Sequence, residues 1–287
     1  MIPPRRVAVL GLGLIGGSVA LGLRRAWRPE ITWYDPDPAA GRAAQRLLGP
    51  PAPSLEAAVG AAQLVVLAGP PRGVLEDLAR IPGSAPQDAV VTDCASVKGA
   101  IVERGRELLG GRFVGAHPMT GSHRSGFGAA RADLFEGCTY LVMEGASPAA
   151  EGLVWSMAQA LGANPVRLGV EAHDAAVAVT SHLVHFLAVT LSRTAERWGD
   201  PRLVGPGFRG ASRTALGSPT LWLEVLRQNR AQVMTALDAF RDEWLEGVRG
   251  LWSDDEGVLL DWLLGGQHAR RALTGETDGE ASEEAHP

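Results

Sequence analysis

The sequence predicts an α/β fold: a doubly wound, mostly parallel sheet over residues 1–168, an all-helical domain over 169–273 and an acidic tail over 274–287. Three observations lead there. Short apolar β runs alternate with helical stretches as far as Leu168, the pattern of a parallel sheet covered by helices. A glycine-rich turn joins the first run to the first helix. Beyond Gly169 the apolar residues keep a helical period with hardly a strand signal. With 287 residues, 46% of them hydrophobic, the chain has enough apolar side chain to give two domains a core each.

The elements follow in order. "RRVAVLGLGLIGGSVALGLRRA" reads as strand, turn and helix, and "EITWYDPDP" as a second strand ending at Asp35. "QLVVLA" is a strand, "RGVLEDLARI" a helix, "DAVVTD" a strand and "VKGAIVERGRELL" a helix starting near Val97. Strands are expected at "RFVGA", "CTYLVM" and "NPVRL", with a helix through "EGLVWSMAQALG" between the last two. "EAHDAAVAVTSHLVHFLAVTLSRTAERW" opens the helical part, which runs to "DEGVLLDWLLGGQHARRAL".

Composition excludes several classes of function. The formal charge of −5 comes from the tail, where Glu276, Asp278, Glu280, Glu283 and Glu284 stand without a basic residue; the remainder carries 27 acidic and 27 basic side chains. Such a polar segment without aromatics is expected to be disordered. No basic stripe interleaved with aromatics points to nucleic acid. No apolar run approaches the roughly 20 residues of a membrane span, and no leader pattern opens the chain, so a cytoplasmic location is expected. Cys94 and Cys138 stand alone, without the spacing of a zinc site or a disulfide framework. Of the 27 basic residues, Lys98 alone is lysine, either because guanidinium does not fit there or as a chance survivor of a strong arginine bias.

The first turn carries chemistry. Gly11, Gly13 and Gly16 match G-x-G-x-x-G between a strand and a helix, with Leu14 and Ile15 in the variable positions. The first glycine allows the tight turn, the second the close approach of a pyrophosphate, the third the packing of helix on strand. The helix amino terminus then faces the phosphates. Asp35, nineteen positions after Gly16, suits ribose hydroxyls and repels a 2′-phosphate, so the expected cofactor is NAD.

Three further segments are candidates for the reacting end of that cofactor. In "TDCASVKG", Ser96 stands to cap a helix or to contact a ligand. In "GAHPMTGSHRSGFG", Pro118 pushes His117 into an extended conformation at what reads as a strand's carboxyl end, where open α/β sheets bind ligands. In "GPGFRGASRTALGSPTLWLEVL", Arg209 and Arg213 are four apart, so on a helix they share a face suited to a dicarboxylate. Trp222 could edge the same pocket. His182 and His185 also share a helix face, but no carboxylate supports a metal there; they read as core histidines or as lining of an interdomain cleft.

These segments, together with "SHLVH" and "GAARADLFEG", stand in the order and approximate spacing of the prephenate dehydrogenase family, which the chain resembles over nearly all of its length before the tail. The resemblance implies NAD(P)-dependent oxidative decarboxylation of prephenate, or of its amino analogue arogenate, in tyrosine biosynthesis. It implies a homodimer built through the helical domains. By motif, His117 would be the catalytic histidine on the ring hydroxyl, and Ser96 would orient both. Arg213 would bind a substrate carboxylate, His185 would line the pocket, and Arg209 and Lys98 would lie near the substrate. The chain departs from the family at His123, Val184 and Gly210, where an acid, a proline and an aspartate are frequent; the last puts ion pairing around Arg209 in question. The alternative reading is a dehydrogenase of another small acid, of the β-hydroxyacid type.

Overall fold

The structure, a computed structural model, describes residues 2–120 and 126–275, in two compact units that divide between Val233 and Met234. His123 and the tail from Glu276 lie outside the described residues. The first unit begins β1 (Arg6–Leu10), α1 (Leu14–Ala26), β2 (Glu30–Tyr34), α2 (Pro38–Leu48), α3 (Leu55–Val59), β3 (Leu64–Leu67), α4 (Pro71–Leu78), β4 (Val90–Asp93), α5 (Gly99–Leu109) and β5 (Phe113–Val114). The five strands form one parallel sheet in the order β2-β1-β3-β4-β5. Along β1, Val7 and Val9 enter one core while Ala8 and Leu10 enter the other, and β3 divides Leu64 and Val66 from Val65 and Leu67 in the same way. Both faces are therefore dry, which is why these strands read as continuous apolar runs.

The expected "RFVGA" strand is broken. After β5 the chain changes sheet at Gly115, and β6 (Ala116–Pro118) pairs antiparallel with β7 (Thr139–Met143). After α6 (Pro148–Ala160), β8 (Asn164–Leu168) adds in parallel to β7, completing a separate three-stranded sheet. A side chain at Gly115 would meet Val102 at 2.5 Å and Met143 at 3.0 Å, so the crossing needs glycine. His117 consequently stands inside a short strand, in register with Leu141, not in a glycine-rich loop after one.

All described elements after Leu168 are helical, as expected. α7 (Val170–Val177), a π-helical turn (Ala178–Leu183) and α8 (Val184–Trp198) form a continuous 29-residue helix. By length and composition it could cross a membrane, as a long helix packed in a protein core also could. Its inner face buries His173, Asp174, His182 and His185, while Val179, Val184, Phe186 and Leu191 are exposed on it. Polar side chains with fixed partners tie one face to protein, and the apolar remainder has the character of a protein–protein contact. α9 (Pro206–Ser212), a 3-10 turn (Arg213–Leu216), α10 (Pro219–Gln228) and the start of α11 (Arg230–Trp252) complete this unit.

The second unit holds the rest of α11 and α12 (Glu256–Thr274). Their close approach depends on glycine: a Cβ at Gly247 would meet the Trp262 ring at 2.7 Å, and one at Gly250 the Leu259 backbone at 3.2 Å. Trp244, Trp252, Leu260 and Leu263 remain exposed.

Candidate active site

A cavity of about 550 Å³ opens at the carboxyl ends of β1, β3 and β4, where a parallel sheet of this topology binds ligands. The glycine turn forms one wall. Gly11 takes φ +90° and packs against the Ala68–Gly69 backbone, and a Cβ on Gly16 would stand 1.9 Å from the Gly11 carbonyl oxygen. Gly13 differs: nothing lies within 4 Å of its Cβ position, and it lines the cavity with Leu14 and Ile15. α1 begins there with no side-chain cap and no acid in its first turn, which leaves its amides and dipole for an anion. Asp35 sits just past β2, accepting from the amides of Leu12 (2.6 Å) and Asp37 (2.8 Å). Each oxygen keeps further acceptor capacity for a ribose hydroxyl. The void at Gly13 and the uncapped helix fit a dinucleotide's pyrophosphate.

The opposite wall carries His117, with Cys94, Ala95 and Ser96 from the end of β4 and Ser218, Thr220, Leu221 and Glu224 from α10. The α10 wall is held in place by Glu224, which accepts from the amide of Arg72 at the head of α4 (3.0 Å). Behind His117 lies a buried ion pair. The Asp93 carboxylate accepts from the Lys98 ammonium and from the amides of Ala95 (2.9 Å) and Ala116 (3.2 Å). Lys98 Nζ donates also to the Ala116 carbonyl at 2.8 Å. Both backbone groups of the residue before His117 are thus pinned.

His117 itself has one fixed ring nitrogen. Its Nδ1 lies 3.0 Å from Nε2 of His173, whose Nδ1 lies 2.8 Å from Asp174. Asp174 accepts also from the amides of Lys98 (2.9 Å) and Gly99 (2.8 Å), and so caps α5. Burial chiefly, helped by the positive charge of Lys98 and the neighbouring His173 and His182, holds the His117 pKa well below its ordinary 6.5. The imidazole is neutral at pH 7 and can accept a proton.

Several expected residues find other places. Lys98 is fully buried and spent on Asp93 and Ala116, so it supports His117 instead of touching substrate; the 0% exposure leaves no room for a ligand beside it. Ser96 faces the cavity and does not cap α5, which starts at Gly99 under the Asp174 carboxylate. His185 stacks on Trp222 (3.7 Å between ring centroids, 7° between planes), and neither ring is among the cavity's lining. His182 is buried against Asn229 (3.2 Å), its pKa pushed down by burial to about 4. Arg209 and Arg213 do not share one regular helix face, because α9 ends at Ser212 and Arg213 opens the 3-10 turn. Both are exposed outside the cavity. Arg213 has no carboxylate partner among the described residues, and Arg209 reaches only the Val204 carbonyl at 3.5 Å. Val184 is exposed at the head of α8, and no atom crowds Gly210.

Sequence reasoning missed His173, Asp174 and Asp93. The available signal was an adjacent His-Asp pair on an otherwise apolar helix face, with nothing local to link it to a histidine 56 positions earlier.

A pyrophosphate cradle facing a neutral imidazole across one cavity defines a dinucleotide-dependent oxidoreductase. Comparison with known proteins narrows the class. Family profiles described as "Prephenate dehydrogenase, nucleotide-binding domain" and "Prephenate dehydrogenase, dimerization domain" match residues 19–154 and 170–263. The chain belongs to the prephenate dehydrogenase family. It is 28% identical to the cyclohexadienyl dehydrogenase of Zymomonas mobilis over 287 residues, covering 96% of this chain and 98% of that one. The crystal structure of prephenate dehydrogenase from A. aeolicus in complex with hydroxyphenyl propionate and NAD+ superposes with a TM-score of 0.88 at 28% identity, covering 94% and 98% of the two chains. Synechocystis arogenate dehydrogenase gives a TM-score of 0.81 at 26% identity over 94% of this chain and all of its own.

Proposed function

We propose that this enzyme catalyses the NAD-dependent oxidative decarboxylation of prephenate, with arogenate as the alternative substrate. The observation that carries the reading is His117, a neutral imidazole on the cavity wall facing the glycine turn, with Nδ1 engaged and Nε2 left for a ligand. The relatives act on prephenate, arogenate or cyclohexadienyl substrates by name, which supports the ring chemistry and leaves the choice between a keto and an amino side chain to the assay.

Gly13 and the first amides of α1 hold the pyrophosphate, and Asp35 holds the adenosine ribose while repelling a 2′-phosphate. The nicotinamide, when bound, supplies the hydride acceptor. His117 Nε2 takes the proton of the ring C4 hydroxyl as the C4 hydrogen departs with its electron pair. Ser96 orients the hydroxyl toward the imidazole. When the ring carboxylate leaves as CO2, its bonding electrons enter the ring. The new phenolate oxygen then recovers the proton from His117, so the base is regenerated and no net proton is released. Arg213, with Arg209 and His185 beside it in sequence or fold, anchors the substrate's carboxylates and side chain. The protein works in the cytoplasm as a homodimer, whose contacts cover the exposed apolar sides of the 29-residue helix and of α11 and α12.

Parallel assays test this: NADH formation with prephenate, arogenate and a 3-hydroxy acid, each also with NADP. Turnover of prephenate or arogenate with NAD preferred is expected. Turnover of the hydroxy acid alone would replace the reading with the β-hydroxyacid class, and equal kcat/KM with NADP would remove Asp35 from its role.

A further inference from the structure

The third layer behind the cavity determines which nitrogen of His117 is basic. Asp174 is held by three donors: the Lys98 amide and His173 Nδ1 on one oxygen, the Gly99 amide on the other. It sits at the amino terminus of an eleven-residue helix, where negative charge is favoured. Burial opposes its ionisation, but the His173 contact and the two amides outweigh that, and its pKa lies below the ordinary carboxylate value. The carboxylate is therefore ionised and accepts only. Facing an acceptor-only carboxylate, His173 Nδ1 carries the hydrogen of that contact, and in the neutral imidazole Nε2 then keeps the lone pair. A lone pair there can be met only by a hydrogen on His117 Nδ1, 3.0 Å away. His117 is thereby fixed in the tautomer whose free lone pair is on Nε2, the nitrogen available to the cavity.

We propose that His173 and Asp174 are a positioning pair that sets the tautomer of His117 and stabilises its imidazolium during proton transfer, neither of them touching substrate. This rests on the reading of His117 as the base. Asp174 also makes the link to the nucleotide side of the fold, because the turn it caps contains Lys98, which pins the residue before His117. A two-histidine relay has a consequence for the reaction: the positive charge formed on His117 is shared toward a buried carboxylate without the proton having to leave, so it can return to the phenolate oxygen.

The test has a spectroscopic and a kinetic arm. In full-length protein labelled with 15N-histidine, long-range 1H–15N spectra should show His117 protonated at Nδ1 and unprotonated at Nε2 at neutral pH. The opposite tautomer in the unaltered protein overturns the proposal whatever any variant does, and this arm needs no substrate, so it stands apart from the identity of the reaction. In Asp174→Asn the side-chain amide can donate to His173, inverting both tautomers. Kcat should fall about 10²- to 10³-fold, with KM for substrate and affinity for NAD changed less than about threefold, within the spread expected of a site left intact. His173→Gln, which can still accept from His117 and donate to Asp174, should retain at least about tenfold more kcat than His173→Leu. If prephenate and arogenate are turned over normally by Asp174→Asn, or if Gln and Leu are equivalent, the positioning role is wrong while the dehydrogenase reading survives. If no ring substrate is turned over by the unaltered enzyme, the functional reading fails and the tautomer still reports on the pair.

Discussion

The nucleotide side of the cavity is made largely by leaving side chains out, and the His117 side by filling a buried space with charged and polar groups. At the glycine turn the useful features are an empty Cβ position at Gly13, an uncapped helix and backbone amides. Around His117 they are Asp93, Lys98, His173 and Asp174, all buried and each with named partners. The first wall is contiguous in sequence, spanning Gly11 to Asp35. The second joins segments near residues 95, 117, 174 and 220. A wall built from absence tolerates loss of its ligand and fails by obstruction; a wall built from paired buried charges fails when one partner is removed.

The largest effect should come from breaking the buried pair. Lys98→Met leaves the Asp93 carboxyl at 0% exposure without its cationic partner, and removal of one partner of such a pair costs about 3–5 kcal/mol of stability, read as a lowered denaturation midpoint. Lys98→Arg keeps the charge but needs more room than a fully buried site offers. Its activity should fall because Ala116, and with it His117, must move. Full activity would detach Lys98 from the base.

Arg213→Ala probes a wall the described cavity does not reach. Loss of one charge-assisted contact to a carboxylate should cost about 1.5–3 kcal/mol, roughly 10- to 200-fold in substrate KM, with NAD binding unchanged. An unaltered KM would exclude Arg213 from the substrate site. The smallest pair of effects separates two glycines of one turn. Gly16→Ala places a Cβ 1.9 Å from the Gly11 carbonyl, so stability should drop by about 1–3 kcal/mol. A Cβ at Gly13 meets no protein atom within 4 Å, so in Gly13→Ala stability should hold while NAD affinity weakens by roughly tenfold, about 1.4 kcal/mol. If both changes act on stability alone, the void at Gly13 is not a pyrophosphate site.

The difference between the walls also explains what could be read in advance. The glycine turn, Asp35, the alternation up to Leu168 and the helical part after it are local patterns, and the parallel sheet follows from them. His117 was legible as a candidate because Pro118 and its glycines are adjacent to it. The sheet change at Gly115 was hidden, since it depends on Val102 and Met143 leaving no space. Ser96 looked like a cap because its position suited one, but a carboxylate 78 positions later does the capping. The isolation of Lys98 among arginines singled out the residue without indicating its place: the structure pairs it with a buried aspartate instead of exposing it to a ligand, and Lys98→Arg tests whether guanidinium is excluded there. Arg209 and Arg213 were placed on one helix face by their spacing, and the end of α9 at Ser212 separates them.

The central claim is that His117 is a neutral base serving a hydride transfer, and the pH dependence of kcat in the unaltered enzyme and in His117→Asn tests it most directly. An ordinary histidine would give a rate rising through pH 6.5. Here burial, then Lys98 and the two neighbouring imidazoles, depress the pKa. The active neutral form is therefore fully populated above 6.5 and is lost only as the pH falls well below it. The account predicts kcat level from pH 6.5 upward with a limb on the acid side. For His117→Asn it predicts about a 10²- to 10⁴-fold loss of kcat, no histidine limb, and unchanged NAD affinity. Near-normal turnover by His117→Asn, or the same acid limb in both proteins, would contradict it.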